Sequence, residues 1–208
     1  MVNEKALIGI SATKSKDRVR DQGEVFTASE QVTAMLDLVR DCSDNIDAKF
    51  LEPSCGNGNF LVAILNRKLA VVTTRFKKQQ DFEFYSLVAL ASIYGVDICV
   101  DNVKEAKERM RVILKDWYSY KHNTHKPSTG FYDAVDYIMD QNIICGDMLN
   151  GTSIINFTEF ASPKLYKFKE RVYRLSDLLG SDGLFSKNGK AKPVHERSMK
   201  SYLELGNV

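Results

Sequence analysis

"LEPSCGNGNF", Leu51–Phe60, sets two glycines one residue apart behind Glu52 and Pro53 and ahead of an apolar run. Glycine serves where backbone takes positive φ or where another group must come close. Upstream, "AKFLEP" reads as a short buried strand; downstream, "NFLVAILNRKL" reads as a helix. The glycines therefore stand at a strand-to-helix turn, a common place for a ligand. The turn does not suit a phosphate. The dinucleotide fingerprint asks for G-x-G-x-x-G, and Leu61 stands where its third glycine belongs. A phosphate-cradling loop needs Lys and then Ser or Thr after its glycines, and neither is here. Glu52 repels an anion and welcomes a cation, such as the amino group of a methionine moiety.

Working outward, "EVFTASEQVTAMLDLVRDC" predicts a helix, with Thr27 and Glu30 at capping-box spacing and Val32, Met35, Leu36 and Val39 on one face. After the turn, a helical insertion is expected between Asn66 and Ala91, then a second strand, "IYGVDI". "DNVKEAKERMRVILKDWY" follows as a helix capped by Asp101, with Val103, Ala106, Met110, Ile113, Leu114 and Trp117 sharing a face. A polar loop, "SYKHNTHKPSTG", leads to a third strand in "QNIICGD". Strand–helix–strand–helix–strand predicts an α/β fold, a doubly wound and mostly parallel sheet with helices on both faces. In such sheets ligands sit outside the carboxyl ends of the strands. Glu52 to Asn59, Asp97 and Asp147 all fall at those ends. Asp97 can accept ribose hydroxyls, Ile98 can pack on an adenine face, and Asp147 can accept from an adenine amino group. Asp97 follows Glu52 by 45 residues, against about 20 in the dinucleotide fold, and the helical insertion absorbs the excess. Acidic residues without a basic one point to an adenosine that lacks phosphates, S-adenosylmethionine.

The remaining composition sets the frame. Cys42, Cys55, Cys99 and Cys145 are too widely spaced for a zinc cluster or a redox pair, which predicts reduced thiols in a cytoplasmic protein. His122 and His125 stand in a polar stretch, read as solvated loop histidines, and no metal site is expected. No apolar run approaches the ~20 residues of a membrane span, and no membrane association is expected. Residues 160–200 hold ten Lys/Arg against four Asp/Glu, which leaves the rest slightly acidic. Within them "KLYKFKERVYR" interleaves basic and aromatic residues. That pattern suits stacking and phosphate contact on an unpaired strand, or a half-buried strand or helix with a solvated basic face. The expected organisation is an N-terminal arm over 1–23, a cofactor-binding domain over 24–160, and a basic segment over 161–208 that is largely mobile after Gly180.

At these residues the chain resembles the DNA adenine methyltransferases of restriction-modification systems. "EPSCGNGNFL" is similar to that family's D/E-P-x-C-G-x-G-x-F/L turn, "GEVFTASEQVTAML" to the G-x-x-x-T-P segment ahead of it, "IYGVDICVDNVKEAKERM" to its second cofactor motif, and "IICGDML" to its third. The resemblance spans residues 20–150. It implies S-adenosylmethionine contacts from Thr27, from the turn (Glu52, Pro53, Cys55, Gly56, Gly58, Asn59 and Phe60) and from the two later strand ends (Asp97, Ile98, Asp147 and Met148). Ala28 replaces the proline usual after Thr27.

The family's catalytic loop, N/D/S-P-P-Y/F, has no counterpart. The four prolines, Pro53, Pro127, Pro163 and Pro193, are isolated, and "SPKLY" (Ser162–Tyr166) is the nearest imitation. No catalytic residue is assigned. The expected function is a methyltransferase, or a subunit of one, acting on DNA with a partner subunit or a separate target-recognition domain. The alternatives are a non-catalytic cofactor-binding relative or scaffold, and a methyltransferase for another acceptor.

Overall fold

The computed structural model describes residues 27–164, 166–179 and 191–207, so the arm expected over 1–23 lies outside the described residues. Three strands form a parallel sheet in the order β1 (Phe50–Glu52), β2 (Ile93–Asp97), β3 (Ile143–Cys145). The register sets Glu52 opposite Gly95 and Asp97 opposite Cys145. All five residues of β2 are buried, which explains why it reads as an unbroken apolar run apart from its terminal aspartate.

Helices make the crossovers. α1 (Ser29–Asp37) and the single turn α2 (Arg40–Ser43) precede β1. α3 (Asn59–Arg75) and α4 (Gln79–Ala91) join β1 to β2 and supply the expected insertion. α5 (Val100–Lys121) and α6 (Phe131–Asn142) join β2 to β3. α6 was not anticipated. Its buried Phe131, Ala134, Val135, Ile138 and Met139 share a face, but Gly130, at φ 89°, begins it without a side-chain cap to announce the start. Two expected caps also do not form. The N-cap of α1 is Ala28 and that of α5 is Cys99, neither with a side-chain cap bond. Asp101 lies instead in the first turn of α5, where its charge complements the helix dipole.

The two faces of the parallel sheet are covered differently. Ile93 and Ile143 join the large core made with the helices. Tyr94 and Val96 point the other way, into a second cluster with Ile155, Phe157 and Leu175. That cluster forms where an antiparallel sheet starts and ends, Ile155 just before β4 and Leu175 just after β5: β4 (Asn156–Lys164) and β5 (Lys167–Arg174) form a hairpin, and β6 (His195–Glu196) and β7 (Lys200–Ser201) both pair with β5. The class is therefore α/β, but a separate antiparallel sheet lies where a second helical layer was expected. Strand side chains from the hairpin, Phe157 against Tyr94 at 5.2 Å between ring centroids, cover that face.

The hairpin also runs through the boundary expected at residue 160, and α7 (Leu175–Leu179) follows it. Residues 191–207, expected to be mobile, are placed: Tyr202, in a 3-10 turn (Tyr202–Glu204), and Leu205 are buried, and the Tyr202 hydroxyl donates to Glu83 at 2.9 Å.

Lys68 sits fully buried beneath the sheet, its Nζ bonded to the Ile46 and Ala48 carbonyls and to Ser92 Oγ. Burial pushes its ammonium down to about 7, against the pull of Asp47. All three partners accept from Nζ, since Ser92 Oγ gives its own hydrogen to the Ala89 carbonyl at 2.7 Å, and above about pH 7 burial takes one of the three ammonium protons away. The unfolded chain then holds a proton here that the folded chain has released. Stability is expected to rise by about 2 kcal/mol between pH 7 and 9, at up to ~1.4 kcal/mol per unit. Denaturant titrations of wild type and Lys68→Met check this. The Met variant should lose most of that rise, and an equal rise in both refutes the assignment.

Candidate functional site

The glycine bend after β1 is fixed from three sides. The Cys55 N–H donates to the Val96 carbonyl at 2.9 Å, which lays the bend across the end of β2. Gly95 leaves room for this, because a Cβ there would stand 2.9 Å from Leu61 and 3.3 Å from the Cys55 sulfur. Gly56 and Gly58 have φ of 51° and 88°, and a Cβ on Gly58 would meet that of Ala106 at 2.8 Å. The first glycine turns the chain, and the second brings α3 against α5.

Asp97 organises what lies above. It is 6% exposed and accepts from the Gly56 N–H at 2.8 Å, the Cys99 N–H at 2.8 Å and the Asn102 amide at 3.3 Å. Each carboxylate oxygen has two lone pairs, so the Oδ2 that takes Gly56 keeps accepting capacity. Glu52, half-buried at the end of β1, has its carboxyl raised by burial, partly offset by the Ser54 N–H. Cys55, buried beside both, is pushed up to about 12 by its burial and then by the charges of Asp97 and Glu52. The two acids thus flank one thiol at the tips of adjacent strands.

The third strand end is tied in by its backbone, the Gly146 N–H donating to the Asp97 carbonyl at 3.0 Å. Asp147 closes its own turn, accepting from Leu149 N at 2.8 Å, Asn150 N at 3.0 Å and Asn150 Nδ2 at 3.0 Å. The Asn150 bonds, then Leu149, hold its carboxyl below the usual range. Met148 packs with the cluster between the two sheets, because the chain turns there to reach Ile155. Ile98 is 69% exposed and open to a ligand. Pro53 lies exposed on the rim, while Phe60 packs against the main core beneath the bend.

Residues not anticipated form the back wall. Asn57, fully buried, donates to Glu105 at 3.0 Å, and its carbonyl accepts from Arg109 at 2.6 Å. Arg109 also donates to Asn59 Oδ1 at 2.9 Å, and Asn59 Nδ2 donates to the Thr27 carbonyl at 2.8 Å. Thr27 thus joins the site through its backbone. Asn102, Glu105, Ala106 and Arg109 recur at helical spacing in "DNVKEAKERM", which is the signal that could have found them.

Two other sequence features resolve as structural. In β5, Phe168 is fully buried, Lys169 pairs with Glu196 at 2.6 Å, and Arg171 pairs with Glu196 at 3.1 Å and Glu159 at 3.7 Å. Tyr173 donates to Glu159 at 3.4 Å. Basic and aromatic residues on this strand are engaged with glutamates and core. Ser162–Lys164 form the end of β4, and Tyr166, just ahead of β5, donates to Asp81 of α4 at 2.5 Å with its ring against Phe84. Glu83, beside Asp81, accepts from Tyr118 near the C-terminal end of α5, whereas Asp97 meets α5 at its start through Asn102, so Tyr166 lies away from the Asp97 end.

Among the described residues, no set of three or more His, Cys, Asp or Glu is grouped to hold a metal ion, and no helix is long and apolar enough to cross a membrane. Compared with protein-family models, curated proteins and solved structures, the chain matches none.

Proposed function

We propose that the carboxyl ends of β1, β2 and β3 bind S-adenosylmethionine and that the chain serves DNA adenine methylation, as a methyltransferase or a subunit of one, in the cytoplasm. The observation that carries this reading is the bond from the Gly56 N–H to Asp97, with the half-buried Glu52 beside it. An acid locked against a glycine bend repels phosphate and accepts hydroxyls; a second acid, short of water, favours a cationic partner. Both suit a nucleoside that carries an amino acid and a sulfonium. The parallel strands and their helical crossovers support the cofactor-binding half of a doubly wound, Rossmann-like fold.

Each residue then has a physical task. Glu52 holds the amino group at the methionine end. Gly56 and Gly58 let the ligand approach the backbone. Asp97 accepts from ribose, and Ile98 offers an apolar surface to adenine. Asp147 orders the neighbouring turn with its carboxylate and presents its spare lone pairs to the adenine amino group. The cofactor, when bound, supplies an electrophilic methyl that passes directly to an exocyclic amino group.

A second reading is a non-catalytic cofactor-binding relative. It is favoured by the lack of an N/D/S-P-P-Y/F segment and by the placement of Tyr166 against α4. In the first reading the acceptor loop and the target recognition come from a partner subunit. Calorimetric titration with S-adenosylmethionine tests the shared premise and should give saturable binding; its absence at millimolar ligand removes both readings. Transfer of labelled methyl to DNA, with and without partner subunits, then separates them, and transfer to RNA or protein instead would reassign the acceptor.

A further inference from the structure

We propose that Arg109 is a positioning residue for the methionine end of the cofactor, acting through Asn59 and the Thr27 carbonyl. The inference rests on the cofactor reading above and extends it to the regulation of shape at the same site. α5 approaches the glycine bend because Gly58 admits Ala106. One turn on, the Arg109 guanidinium reaches two groups of the bend, the Asn57 carbonyl at 2.6 Å and Asn59 Oδ1 at 2.9 Å. Asn59 is thereby oriented with its oxygen toward Arg109 and its Nδ2 toward the Thr27 carbonyl at 2.8 Å. Without the arginine the Thr27 carbonyl alone orients the amide, and the link from the bend to residue 27 loosens.

The geometry divides the cleft. Asp97 is tied to Gly56, Cys99 and Asn102 and takes no part in the Arg109 bonds. Glu52 stands at the head of the bend that Arg109 braces from behind. The ribose and adenine contacts therefore depend on β2 and the start of α5, whereas the methionine contacts depend on residues 57–59 and 27. Loss of Arg109 should be felt by the amino-acid half of the ligand and spare the nucleoside half. A role confined to general stability would weaken both halves alike.

Calorimetry with two probes, S-adenosylmethionine and adenosine, reads this division on wild type, Arg109→Met, Arg109→Lys and Asn59→Ala. Arg109→Met and Asn59→Ala are expected to weaken S-adenosylmethionine at least about tenfold, the scale of one lost charge-assisted bond, and to leave adenosine within about twofold. Arg109→Lys should recover part of the loss, since an ammonium still donates but without the fork. Asn59→Ala leaves Arg109 in place to brace the Asn57 carbonyl, so it reads the relay even if Arg109→Met fails to fold. Wild type that binds neither probe overturns the cofactor reading, and the inference with it. Wild type that binds both, with variants that weaken both probes equally or neither, overturns the inference alone.

Discussion

Glu83→Ala is expected to lower the stability of the fold by about 3–5 kcal/mol, the scale for a broken buried charge network. The carboxylate is fully buried on α4. It accepts from Gln79 Nε2 at 3.0 Å, the Tyr118 hydroxyl at 2.9 Å, the Ser128 N–H at 3.0 Å and the Tyr202 hydroxyl at 2.9 Å. Those four donors belong to α4, to α5, to the loop before α6 and to the C-terminal 3-10 turn. One side chain thus fastens both crossovers and the end of the chain, and alanine strands two tyrosine hydroxyls and a backbone N–H. Burial pulls the carboxyl up, but the bonds from Ser128, Gln79 and Tyr118 outweigh it and hold the group below its usual range. A folded pKa below the unfolded value stabilises at pH above the unfolded value, about 4.3. That stabilisation is lost as pH falls through the folded one. The gap between wild type and Glu83→Ala in urea should therefore be wide at pH 7 and narrow in acid. A loss under about 1 kcal/mol at pH 7 would mean that the tyrosines find other partners. Tyr202→Phe removes a single donor and should cost about 1 kcal/mol.

This network also shows what a sequence conceals. The strands β1, β2 and β3 were legible because each is a short apolar run that ends in a polar turn, "FLEP", "YGVD" and "IICGD". The glycine bend was legible because two glycines, an acid and a helix start coincide there. The antiparallel sheet was only half legible: "KFKERVYR" alternates Phe168, Glu170 and Val172 with charged residues, yet Lys, Glu and Arg favour helices equally well. Residues after 190 read as a polar tail, because Tyr202 and Leu205 are few and the partner of Tyr202, Glu83, lies 119 residues away. Composition does not register a single buried acid that waits for a hydroxyl. The Thr27–Glu30 box failed for a similar reason. Ala28 takes the N-cap, and the Thr27 carbonyl is held by Asn59 from the distant bend. Local signals predicted local elements; long-range hydrogen bonds decided which of those signals were used.

Asp97→Ala is the substitution with the largest expected effect on the proposed cofactor: affinity for S-adenosylmethionine should fall by about 2–3 kcal/mol, thirtyfold or more. The reason is twofold. Alanine removes the charged acceptor offered to the ribose hydroxyls. It also frees the Gly56 N–H, the Cys99 N–H and the Asn102 amide, which together hold the bend over the end of β2. Asp97→Asn helps to separate the two effects. An amide keeps the size of the side chain but turns one oxygen into a donor, and either orientation sets that donor against an existing N–H, from Gly56 or from Cys99. The Asn variant should therefore lose stability as well as affinity, while the Ala variant leaves a small space that water can fill. Adenosine should weaken as much as S-adenosylmethionine in both, since each carries the ribose, in contrast to the split expected at Arg109. If Asp97→Ala folds and binds either ligand within about twofold of wild type, less than one hydrogen bond's worth, the ribose lies elsewhere and Asp97 serves only to shape the bend.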